Sequence, residues 1–149
     1  MNKPPIVPAT LLVFRVVLGA LFVFAGVAKL GDSAAFALEI ANYRMLPVAS
    51  LAPWMAVTLP GIEVVIGVAI VVGPKAWVRA AALLMTALLV VFTVAVTQVV
   101  LRGINIQCGC FGGDSGEVTW LTIARDVALL AMAAAVFVMS APRHEPTRA

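Results

Sequence analysis

Residues 80–101, AAALLMTALLVVFTVAVTQVVL, contain no acidic, basic or histidine side chain. A membrane core about 30 Å thick needs about 20 consecutive apolar residues to be crossed as a helix. This stretch meets that length, and Thr86, Thr93, Thr97 and Gln98 are its only polar side chains. Hydroxyls inside a span commonly bond back to their own helix, so the threonines are expected to do no more than that. Working outward, three similar runs appear, from about residue 10 to 30, 51 to 73 and 119 to 139.

The whole chain agrees with that reading. Of its 149 residues, 63% are apolar and 11% charged, against roughly half and a quarter in soluble domains. The predicted fold is an all-α membrane protein, a four-transmembrane-helix bundle forming one domain over residues 1–149. A shorter helix follows the first span: Asp32 or Ser33 can cap it, Phe36, Ile40 and Tyr43 recur at helical spacing, and Pro47 should stop it. It is expected either to lie at the membrane interface or to use that stripe for packing. A cleaved leader is disfavoured for the first run, whose apolar stretch is longer than the 7 to 15 residues of a typical signal core. In the second run, Pro60-Gly61 predicts a kink. Pro74 to Arg79 reads as a tight basic turn before the third.

Charge sits at helix ends and in the tail rather than in a patch, so the net +3 argues for topology and against nucleic acid. Four spans put Lys3, Lys75, Arg79, Arg143 and Arg148 on one side. Lys29, Arg44 and Arg102 fall on the other, with Asp32, Glu39, Asp114 and Glu117. The positive-inside rule then predicts cytoplasmic termini and a loop 102–118 facing the periplasm or cell exterior.

That loop carries the only cysteines, in Gln107-Cys108-Gly109-Cys110-Phe111-Gly112-Gly113. Two thiols are too few for a structural zinc site. A bridge closing so short a loop would add little stability and would be easily reduced. A redox-active pair, a static pair and soft-metal capture all remain open, the last without further sulfur ligands along the spans. Outside the cytoplasm is where disulfides persist. Arg102 and the N-terminus of the last span are nearby sources of positive charge for a thiolate. No Ser-His-Asp set or metal-ligand cluster occurs, and His144 stands alone in the tail.

Charges inside the spans are the other candidates. Glu63 falls near the middle of the second run, where an ionised acid costs about 2.5–3.5 kcal/mol on insertion scales unless it is paired. Arg15 is its expected partner, the pair either fixing packing or serving proton handling or a quinone pocket. Arg125 and Asp126 are adjacent, so they are expected to find different partners, Lys29 for Asp126 and a thiolate, a quinone oxygen or a charge network for Arg125. Gln98 is placed to orient a head group beneath the cysteines.

Cys108-Gly109-Cys110-Phe111-Gly112 followed by Arg125 resembles the MauE branch of the MauE/DoxX-like membrane proteins, with Asp126 where that pattern suggests asparagine. Arg15, Gly19, Gly26 and Lys29, with Glu63 and Gly67, resemble the wider DoxX pattern, so the resemblance covers nearly all the chain. It implies a bacterial inner-membrane protein associated with redox maturation of exported proteins, working beside thioredoxin-like partners. Three functions follow as expectations: thiol–disulfide exchange through Cys108 and Cys110 with a quinone between the helices, a non-enzymatic scaffold, or a soft-metal carrier.

Overall fold

The computed structural model describes residues 6–45, 48–104 and 118–141, with side chains from residue 9. Among these, five helices follow in order: α1 (Ile6–Leu30), α2 (Ser33–Asn42), α3 (Val48–Val72), α4 (Lys75–Leu101) and α5 (Trp120–Met139). All but α2 are long and apolar enough to cross a membrane. The protein is an all-α, four-span membrane bundle. Its outer surface confirms which solvent it was built for: Leu121 (78% exposed), Trp54 (75%) and Val72 (75%) point outward, and backbone in such a setting must satisfy itself within helices.

The tightest seam joins α1 to α3. A side chain at Gly26 would meet the Pro60 carbonyl oxygen at 2.7 Å, and one at Gly67 would meet the Gly19 carbonyl oxygen at 3.0 Å. Lipid offers no hydrophobic drive between spans, so small residues that let backbones approach supply the dispersion contact instead. Leu18, Phe22, Ile66 and Ile70 continue this seam into the core, where Val78, Met85 and Leu89 of α4 and Ala133 and Val136 of α5 close it. Arg79 stacks on Phe137, its guanidinium carbon 5.0 Å from the ring centre.

Local chemistry sets the boundaries. Asp32 caps α2 by accepting from the Ala35 amide at 2.9 Å. Phe36 and Ile40 pack on Ala52 and Ala56 of α3, so the apolar stripe of α2 is a packing face. The helix ends before Pro47, because Arg44 turns into the left-handed region (φ 50°) and returns its amide to the Ala41 carbonyl. The expected basic turn at 74–79 is corrected: only Gly73 and Pro74 separate α3 from α4, and Lys75 to Arg79 are already helical. Pro74, extended at ψ 164°, is pre-set for a helix start, where its missing amide is no loss. Helix α3 is continuous through Pro53 and Pro60. Thr86, Thr93 and Thr97 donate to the carbonyls four residues back, as their chemistry predicts.

Candidate functional site

Among the described residues, three charged side chains are almost wholly buried: Glu63 (2% exposed), Lys29 (3%) and Asp126 (3%). The Lys29 ammonium donates to both Glu63 carboxylate oxygens, at 2.7 and 2.8 Å. Phe36 and Phe92 flank it, their ring centres 5.2 and 5.5 Å from Nζ. Paired with a carboxylate and faced by two rings, the cation has replacements for its lost water. The expected Arg15–Glu63 pair is thus overturned. The antiparallel register that sets Gly19 on Gly67 and Gly26 on Pro60 carries Arg15 to the end of α3 instead. There its guanidinium donates to the Ile70 carbonyl (Nε, 2.7 Å) and the Val71 carbonyl (Nη2, 2.8 Å). Those are last-turn oxygens without helical donors, and a cation suits that end of the dipole. Gly26 supplies the signal for the true pair. Its bare Cα lets Glu63 come close, and Lys29 lies three residues on, along the same face.

The expected Lys29–Asp126 pair is corrected as well. Asp126 Oδ1 accepts from its own neighbour, Arg125, through Nε at 3.1 Å and Nη2 at 2.9 Å. Adjacent residues diverge at Cβ, but a guanidinium is long enough to curl back. Asp126 Oδ2 is buried and has no hydrogen-bond partner among the described residues. Glu39 Oε2, on α2, is in the same condition. Burial raises the Glu39 pKa above its ordinary value, Lys29 partly opposing and Asp32 reinforcing the shift.

These groups share one cavity of about 150 Å³, lined by Lys29, Glu39, Tyr43, Glu63, Arg125 and Asp126 within otherwise apolar walls. It lies between the end of α1, α2, the first half of α3, the second half of α4 and the start of α5. Of the predicted site residues, Glu63 and Arg125 are therefore brought together. Arg15 is not, being at the far end of α3. Gln98 is not among the lining residues. It donates to the Tyr43 carbonyl at 2.9 Å and accepts from Arg102 at 2.8 Å, which ties the end of α4 to the close of α2. Arg102 also reaches the Arg44 carbonyl at 3.5 Å. Cys108 and Cys110 lie outside the described residues. Lys29, Glu39 and Asp126 are the contributors that sequence reasoning placed elsewhere; a charged residue within an apolar run was the available signal for Lys29 and Asp126, while for Glu39 there was none.

The family profile described as methylamine utilisation protein MauE matches residues 7–139. The methylamine utilization protein MauE of Paracoccus denitrificans is 40% identical over 132 residues, which span 87% of this chain and 69% of that protein. No solved structure matches significantly. With the four spans in place and the match running from the first turn of α1 to the last of α5, the chain belongs to the MauE family.

Proposed function

We propose that this protein is the membrane component of a thiol–disulfide redox system that assists maturation of exported proteins, those used in methylamine utilisation by the name of its relative. Cys108 and Cys110 exchange electrons with an exported thioredoxin-like partner. A thiolate on one side attacks the disulfide on the other, a mixed disulfide forms, and the second thiol resolves it, so that two electrons and two protons change hands. The observation that carries the reading is the Cys108-Gly109-Cys110 triplet, the chain's only thiols, on the connection between α4 and α5 of a MauE-family protein.

A quinone is the proposed exchange partner within the membrane. The apolar walls and charged lining of the cavity suit such a group, with Glu63 and Arg125 among the residues that would hold it; when bound it would supply two-electron chemistry. Arg15 and Gln98 act in support, by closing the far end of α3 and by fixing the end of α4 from which the cysteine loop departs.

The proposed setting is the bacterial inner membrane, with cytoplasmic termini and the loop 102–118 outside. Burial of Lys29 against Glu63 supports it. That cation belongs to the bundle interior, which leaves Arg44 and Arg102 as the loop charges opposing Lys3, Lys75, Arg79, Arg143 and Arg148.

Trapping tests the reading. Cys110→Ser and Cys108→Ser are each expressed in the native host and run on non-reducing gels. At least one is expected to accumulate a mixed disulfide with an exported thioredoxin-like protein. No adduct from either, with maturation intact in the double variant, would replace the exchange reading with a scaffold.

A further inference from the structure

The cavity at the Lys29 end reaches the flank of the bundle. Helix α2 packs on α3 and touches α1, but among the described residues its backbone comes near neither α4 nor α5. All four of α2 to α5 nevertheless contribute lining residues, so the cavity fills the gap that α2 leaves before α4 and α5. Toward the end of the bundle that gap is bridged, because Gln98 donates to the Tyr43 carbonyl at 2.9 Å and Arg102 donates to the Gln98 side-chain oxygen at 2.8 Å. Sideways it is open: Val91 of α4 lines the cavity and is also 61% exposed. Ala95 lies one turn further along α4, and across the gap α3 contributes Met55 and Leu59, so this mouth is apolar. Its depth follows from the tryptophans, which favour the membrane interface. Trp54 of α3 and Trp120 of α5 are both exposed at the end of the bundle where α4 connects to α5. Leu59 and Arg125 each stand five residues further into their spans, about 8 Å at 1.5 Å per residue. Mouth and charged lining therefore lie below the head groups, among acyl chains.

We infer that the occupant enters from the hydrocarbon side: the mouth between α3 and α4 admits a neutral ring on a long apolar tail, and the tail stays in lipid while the ring sits inside. The inference rests on the quinone part of the function proposed above and names its class, a lipid-dissolved quinone with an isoprenoid tail rather than a water-soluble ring. The entrance selects it. A phospholipid head group would have to leave the interface and descend about 8 Å into hydrocarbon, where an ionised group is costly. A neutral ring already dissolved in the acyl chains has no such step to make. Four of the five charged lining residues are paired, Lys29 with Glu63 and Arg125 with Asp126, so a neutral head breaks no ion pair. Met45 and Met55 in the walls are unbranched and adapt to a body that slides past them.

The test uses the full chain in lipid nanodiscs, with decylubiquinone and a derivative that carries a photoreactive diazirine midway along its decyl chain. Adducts that excess decylubiquinone displaces are expected on Met55, Leu59, Val91 or Ala95. Val91→Trp should weaken decylubiquinone binding about tenfold, as a bulky side chain forced into an occupied contact does, with thermal unfolding unchanged. Leu84→Trp, also lipid-facing on α4 but outside the lining, should leave binding as it is. Ala95→Phe serves where Val91→Trp does not fold. Displaceable adducts confined to α1 or α5 put the entrance elsewhere and overturn the inference while the quinone reading stands. Undiminished binding in whichever mouth variants fold does the same. An unaltered protein that binds no decylubiquinone overturns both.

Discussion

At one end of the α1–α3 seam Arg15 donates to two backbone carbonyls of α3; toward the other end Lys29 donates to a carboxylate of the same helix. The first arrangement finishes a helix. The cation meets oxygens that would otherwise lack donors, and the adjoining core of Leu18, Ile70, Met85 and Val136 is fully packed. The second arrangement opens a site. Two buried opposite charges cancel, two aromatic rings face the cation, and beside them is a cavity that Glu39, Arg125 and Asp126 also line. The same chemical type on the same helix thus serves closure at one end and recognition at the other. What decides between them is whether the partner is backbone, which has no further capacity for chemistry, or a side chain, which does.

The sharpest break of that comparison is removal of half of the buried pair. Glu63→Leu leaves the Lys29 ammonium buried without its counter-ion, and a loss of about 3–5 kcal/mol is expected. Lys29→Met together with Glu63→Leu should restore most of it, since a buried pair is often replaceable by apolar residues of similar size. Unfolding in detergent, followed by helical signal, measures both. A single variant as stable as the parent would mean that the pair is not closed in the membrane-embedded protein.

Arg15→Met is expected to cost less, about 1.5–3 kcal/mol, the range for hydrogen bonds from a charged group. Its discriminating readout is location. Stability should fall while ligand binding at the Lys29 end is unchanged, because the Arg15 guanidinium donates to the terminal carbonyls of α3, away from the cavity lining. A loss of quinone binding in this variant would join the two ends that the structure separates. Gly26→Ala tests the seam between them. A methyl group 2.7 Å from the Pro60 carbonyl forces the helices apart, at about 1–3 kcal/mol, and should also weaken the Lys29–Glu63 pair, which the same close approach brings together.

The spans were legible because hydropathy acts residue by residue: nothing about a partner is needed to see that 80–101 must be in lipid. The pairing of charges was not, because it depends on the register between two helices. Arg15 and Glu63 look like natural partners by depth alone. The glycines at 19, 26 and 67 were visible as residues, but the offset they enforce is a property of two surfaces fitted together, and that offset hands Glu63 to Lys29. Arg125 and Asp126 failed differently. The rule that neighbours on a helix diverge concerns Cβ directions, and a guanidinium five bonds further out escapes it. Glu39 carried no signal at all, since its burial comes from the docking of α2 on α3.

The smallest expected effect is a pH dependence at Glu39, and it belongs to the recognition end alone. Burial raises its folded-state pKa above the ordinary 4.5, because it disfavours the charged form more than Lys29 favours it. A raised folded value means that the contribution to stability is full below the unfolded pKa and is lost as pH rises through the folded one. Stability in detergent should therefore decline slightly over that interval, and Glu39→Gln, which cannot ionise, should flatten the decline without altering the acid-side value. Asp32→Asn sharpens the assignment. Removing a charge that raises the Glu39 pKa should shift the same decline to lower pH, although this variant also changes the α2 cap, so the midpoint and not the stability is the quantity to compare. A decline that persists unchanged in Glu39→Gln would assign it to another carboxylate.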